Sequence, residues 1–347
     1  MNKHMPISKI LGALFIFFSF SSQAQNSIQV ITEQKGVSLR AISIPSKEVI
    51  WVSGSKGSVV KSEDGGKTFN WIKVSGYENR DFRAIHAFDK EQAIIVAVAA
   101  PAIILKTKDG GAHWKMVTEI LDTNMFLDAI HFKDGQNGWV IGDPIDQQIF
   151  MLHTKDSGDT WQEVGTDYFT NQVEEGESFF AASNSNMAHT NEALCMVTGG
   201  KKSRLWMNGS PTTIPLLQGL KTTGANSIAF SPDEKRMLIV GGDFANDTLS
   251  QDNSLYLKLE KGDKNQSTHW QMVKMTRAPH GYKSCVEFLN NDLVISCGTS
   301  GVDLSKNGGN EWKTIDKQSF HVVKKIPNLN SAILAGSGGR IGIIHVP

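Results

Sequence analysis

Cysteine is scarce in this chain: 347 residues hold three. No His/Cys cluster has the spacing of a zinc site, so no metal is expected. No Gly-x-Ser-x-Gly elbow is present, which removes the usual serine-hydrolase signature. The run Gly336-Ser337-Gly338-Gly339-Arg340-Ile341-Gly342 lacks the spacing and the following helix of a dinucleotide loop, and no cofactor is expected. Charge of one sign is missing too, since 35 Lys and Arg face 35 Asp and Glu. Phosphate recognition needs a basic surface, so nucleic acid is an unsuitable partner. Tyrosine is limited to four residues, which narrows the choice of a phenolic nucleophile.

Long hydrophobic runs are absent as well. Residues 11–20 are apolar, but ten residues are too few to span a bilayer comfortably. Lys3 and Lys9 precede that run and Ser22-Gln23-Ala24 follows it, the pattern of a secretory signal peptide cleaved after Ala24. No cysteine follows, which argues against a lipid anchor. Cleavage removes two lysines and no acids, leaving 33 basic against 35 acidic side chains. A periplasmic or secreted monomer without a membrane span is expected.

What the chain has in quantity is one short motif. Ser62-Glu63-Asp64-Gly65-Gly66-Lys67-Thr68-Phe69 is echoed by Thr107 to Trp114, Thr154 to Trp161 and Ser305 to Trp312. Asp64, Asp109, Asp156 and Asn307 hold the same place, and the first three are 45 and 47 residues apart. That period is the size of one propeller blade. Asp and Asn hydrogen-bond the backbone just ahead of them, and glycine supplies positive φ. The acidic residues of the motif are therefore expected to shape turns and not to catalyse.

The motif is an Asp-box. Its four copies make the chain resemble the Asp-box propellers, namely the sialidases and the photosystem II stability and assembly-factor-like family. The resemblance implies an all-β fold of four-stranded blades, with each box between the third and fourth strands. Blades are expected at about 38–74, 81–117, 126–164, 177–217, 224–273, 281–315 and 320–346. The fourth has only a degenerate box at Trp206-Met207-Asn208-Gly209, and the last lacks an outer strand. Ile28 to Thr32 can supply that strand from the other end, giving a seven-bladed β-propeller over residues 25–347 closed by its N-terminal strand.

Aligning the repeats on their Ala-Ile-like step places Arg40, Arg83, Asp128, Phe180, Asn226, Lys283 and His321 at equivalent inner-strand positions. Six of the seven are polar. Since a blade interior rarely accepts such residues, they are expected to ring the mouth of the central channel. Fixed cations there would focus a positive potential on an anionic ligand. Glu177, Asp143, Arg204, Asp243, His280, Tyr282 and Asp303 are expected on loops of the same face. A solvated ring that binds nothing is the bland alternative.

Cys285 and Cys297 flank a turn at Asn290-Asn291-Asp292 and would face each other, either as a disulfide or as buried thiols. Cys195 reads as a core residue. His86 and His131 fall at matching repeat positions and read as core or hydrogen-bonded.

Two functions follow from the resemblance. The assembly-factor side implies a binding or scaffold module with an Arg-lined face and a protein partner, or an anionic glycan or small molecule. The sialidase side implies an arginine clamp from Arg40, Arg83 and either Arg204 or Lys283. Tyr282 with Glu177 would be its nucleophile pair, and Asp128 or Asp143 its acid. The sialidase Arg-Ile-Pro motif is absent, and the binding module is the preferred expectation.

Overall fold

The computed structural model describes residue 1 and residues 27–260 and 269–347. The expected signal peptide lies outside the described residues, Met1 apart.

The described chain is built of strands, with one short 3-10 turn at Thr166–Tyr168. Leu39–Ser43, Ile50–Gly54, Ser58–Ser62 and Asn70–Lys73 form an antiparallel sheet in sequence order. The same up-and-down order recurs in the sheets beginning at Phe82–Ala87, Leu127–Phe132 and Cys285–Phe288. Val322–Lys325, Ser331–Ala335 and Ile341–His345 take their fourth strand from Gln29–Thr32, more than 300 residues away by number. Closure of this kind leaves no long exposed edge.

A nine-stranded sheet fills the remaining sector. Two units meet in it at a single pair, Gly199 with Gly224. A Cβ on Gly224 would stand 2.3 Å from the Gly199 Cα, so only glycine permits the approach. Split there, the sheets are consistent with seven blades of an all-β propeller.

The inner three strands of a blade are buried on both faces because each blade stacks against two others. Ile50–Gly54 and Ala93–Ala97 are buried throughout and lack polar alternation. Apolar clusters accordingly lie between blades. Trp51 and Val59 of blade 1 pack with Phe82, Ile95 and Leu105 of blade 2. Ring closure has its own cluster, in which Leu39 and Ile50 join Ile295, Phe320 and Ile333.

The four boxes share one geometry. The Ser62 hydroxyl donates to Asp64 and accepts from the Gly66 amide at 2.9 Å, while Asp64 accepts the Lys67 and Thr68 amides at 3.0 Å. Thr107–Asp109, Thr154–Asp156 and Ser305–Asn307 repeat the pattern. The Thr68 and Thr160 hydroxyls, each donating at 2.6 Å, join these bonds in holding Asp64 and Asp156 down to about 2, the His113 amide leads for Asp109, and all three acids sit at the solvent-exposed outer turns. The second box glycine has positive φ in every copy, and on Gly158 a Cβ would meet Ile94 at 2.2 Å. Blade 4 replaces the box by a two-residue turn, Asn208-Gly209, with both φ values positive and Met207 paired to Ser210.

Blade 4 departs from its repeats in a second way. Its inner strand pairs at Glu177–Ser178, leaves the sheet, and resumes at Met187–His189. The segment 179–186 between them crosses the centre of the ring. Asn184 donates to the Ile85 carbonyl at 3.1 Å and accepts the Ile130 amide at 2.8 Å. Ser183 donates to the Ser284 carbonyl and Ser185 to the Ser227 hydroxyl, at 2.6 and 2.7 Å. One excursion thus ties blade 4 to blades 2, 3, 5 and 6 and plugs the channel.

Candidate functional site

Four of the aligned inner-strand residues share a backbone cause. Register shifts between Leu39 and Ala41, Phe82 and Ala84, Leu127 and Ala129, and Ala225 and Ser227. The extra residues of these bulges are Arg40, Arg83, Asp128 and Asn226. A bulge leaves one residue unpaired, bends the strand locally and re-aims that side chain, while pairing resumes on either side. It lets a polar residue leave an otherwise apolar inner strand.

Arg40 and Arg83 are the cations that remain at the mouth. Arg40 Nε is buried and has no hydrogen-bond partner. Burial and the neighbouring Arg83 lower its pKa. Arg83 donates to Asp81 at 2.8 Å and lies over the Phe126 ring at 5.8 Å. Phe180, at the start of the plug, meets Phe244 edge-on at 5.9 Å, and Phe244 meets Tyr282 at 6.2 Å. Phe244 is 45% exposed. The mouth is therefore two arginines beside an open aromatic edge.

Two carboxyls lie beneath them. Asp128 is fully buried, and neither oxygen has a partner in hydrogen-bond geometry. Burial and the charge of Asp143 raise its pKa well above the usual range, against the pull of Arg83. Burial raises Asp143 to about 6, although it accepts the Phe179 amide at 3.1 Å. Two acids that cannot both ionise cheaply share the root of the plug.

The other expected ring members do not line the mouth. Lys283 is 0% exposed and forms a 2.5 Å ion pair with Asp303, and it also donates to Ser300 and the Gly301 carbonyl. A blade interior accepts this lysine because every donor has a partner. His321 bonds Ser337 at 2.8 Å, and burial with Arg40 and Arg83 nearby pushes it down to about 3, so it adds no charge. Asn226 is buried and accepts the Tyr282 hydroxyl at 2.8 Å. The ring is thus not the solvated cationic circle that alignment implies.

Nor do the loop candidates converge. Glu177 accepts from Arg204 Nε and Nη2, from the Thr198 hydroxyl at 2.5 Å and from the Glu174 amide at 2.9 Å, in a buried pair stacked on Trp206. Tyr282 is buried with its pKa raised by desolvation, and shares no hydrogen bond with Glu177. Asp243 accepts the Ala245 amide in a turn, and His280 contributes its backbone to Asp303 and Ser300. Cys285 and Cys297 are direct cross-strand partners and free thiols, not a disulfide.

Beyond the plug the channel reopens. A cavity of about 520 Å³ is lined by the inner-strand ends of all seven blades and floored by Ser183, Asn184 and Ser185. His131 bonds His189 at 2.6 Å, and His86 stacks on Phe132 at 4.3 Å. Lys324 projects into this space and pairs with Glu287 at 3.2 Å. Sequence reading missed both cavity and plug. The polar run Ser183-Asn184-Ser185-Asn186 inside an inner strand was the available signal.

Comparison with known proteins gives a consistent picture. The family model described as photosynthesis system II assembly factor YCF48 matches residues 87–172. Photosystem II assembly lipoprotein Ycf48 of Synechococcus sp. (strain CC9902) is 22% identical over 284 residues, 70% of this chain and 79% of the relative. Photosystem II stability/assembly factor HCF136, chloroplastic, of Arabidopsis thaliana is 37% identical over 65 residues, 18% of this chain and 15% of that protein. A solved structure of YCF48 bound to D1 peptide superposes with a TM-score of 0.63 at 16% identity, covering 93% of this chain and 98% of that one. The chain is an Asp-box β-propeller similar to the photosystem II assembly factors.

Proposed function

We propose that this chain is an exported binding and assembly propeller that docks a protein segment on the mouth formed by Arg40, Arg83 and Phe244. The observation that carries the reading is the Arg40 guanidinium, whose Nε is buried without a partner beside a second arginine. An unsatisfied buried donor costs about 1–3 kcal/mol, which an acceptor on a partner would recover. Arginine and aromatic residues are also the side chains that most often dominate protein interfaces. A carboxylate or peptide carbonyl suits Arg40, and an apolar side chain suits Phe244. The Ycf48 relatives, one of them bound to a peptide, support a protein ligand over a glycan.

The test is a fluorescence-anisotropy titration with acidic and neutral peptides, comparing the mature protein with Arg40→Ala/Arg83→Ala. Saturable binding of acidic peptides by the first and not the second supports the reading. Equal binding by both sinks it.

A hydrolytic second reading has one observation in its favour, the Asp128–Asp143 pair with raised pKa values. Sialoside or uronide turnover that Asp143→Asn abolishes would establish it.

A further inference from the structure

We propose that Cys285 is an oxidation site for small hydroperoxides entering the lower cavity, and that Cys297 resolves it to a cross-strand disulfide. The argument is geometric. Cys285 belongs to the strand end that walls the cavity and is itself 1% exposed, so a small oxidant in the cavity arrives beside the cysteine with only local opening left to make. Cys297 lies directly opposite on the next strand, with its side chain on the same face of the sheet. Cross-strand partners have Cα atoms about 4.5–5.5 Å apart, inside the span a disulfide needs. The Ser185 hydroxyl of the plug, which gives its proton to Ser227, sits 3.5 Å from the Cys285 sulfur and places that sulfur against the plug at the cavity floor. Cys195 provides the contrast. It is buried between blades 4 and 5, away from the cavity, and burial pushes its thiol up to about 12.

The chemistry balances with peroxide as the oxidant. Cys285 sulfur attacks the O–O bond. One oxygen stays on sulfur as a sulfenic acid, and the other leaves as water with the thiol proton. Cys297 sulfur then attacks Cys285 sulfur, the S–O bond breaks, and the oxygen departs as a second water. The two thiols lose two electrons and two protons in all, and peroxide gains them. The product ties the first two strands of blade 6 and changes the group that Ser185 faces under the plug.

The experiment treats the native full chain with hydrogen peroxide, alkylates it in denaturant, and maps the peptides by mass spectrometry. The expected product is a Cys285–Cys297 cross-link lighter by two hydrogens, with Cys195 alkylated. The cross-link should raise the thermal midpoint, since it restricts the unfolded chain. Cys297→Ser should stop at a Cys285 sulfenic acid that a cyclic dione traps. The proposal is overturned if all three wild-type cysteines stay alkylatable, or if Cys195 oxidises as fast as the pair. The wild-type mapping decides the matter even where a variant folds poorly.

Discussion

The outer turns and the channel mouth both come from the repeat, yet they treat acidic residues in opposite ways. Asp64, Asp109 and Asp156 sit in near-identical exposed turns, where the Thr68 and Thr160 hydroxyls, the His113 amide and the other turn amides hold them near 2. Asp128 and Asp143 sit under a plug that no other blade has, with burial raising both. Where a residue shapes the chain, the same hydrogen bonds recur in each copy. Where the repeat is free of that duty, as at the bulge positions, each blade carries a different side chain. Divergence within a fixed backbone position is thus a better guide to a site than recurrence.

The comparison breaks most visibly at residues that alignment assigns to the mouth but the fold uses elsewhere. Lys283→Met leaves Asp303 buried and unpaired, and Glu177→Leu does the same to Arg204. Each should cost about 3–5 kcal/mol in denaturant unfolding. A loss of binding without that loss of stability would return Lys283 to the site. Arg40→Ala should behave oppositely. Stability should not fall and should rise by up to about 1–3 kcal/mol as the unpartnered buried donor is removed, while peptide affinity falls by about 2 kcal/mol or more, over tenfold by titration. Thr154→Val removes the hydroxyl that joins Asp156 to the Gly158 amide, and about 1–3 kcal/mol of stability should go with it while binding is unchanged.

The effect in pH has two parts of opposite sign. The box acids bind protons less well folded than unfolded. Their contribution is present above their ordinary value of 3.8 and is lost as pH falls towards about 2. Asp143 binds its proton more tightly folded, so its contribution is present below 3.8 and is lost as pH rises through about 6. Asp143→Asn should flatten the loss between those two values and leave the acid limb intact, as read by unfolding midpoints across pH.

Much of this was legible in the residues. Box spacing led to the blades because turn chemistry is local and each copy repeats it. The paired cysteines were found facing because a short loop sets the register. The aligned ring identified real bulge positions, but sequence could not show where a bulged side chain goes. Lys283 turns inward because Asp303, 20 positions later, supplies its charge partner. Asn184 turns into the channel because acceptors and donors from blades 2 and 3 meet there. Those decisions rest on contacts between blades, which no single repeat contains.

The central claim, that the Arg40–Arg83 mouth is where a protein segment docks, is tested most directly by a crystal structure of the protein with the tightest acidic peptide from the titration. The account predicts a peptide oxygen on the Arg40 guanidinium and an apolar side chain against Phe244, with the plug in place. A peptide seated on the outer Asp-box turns, or in the cavity beyond the plug, would contradict it.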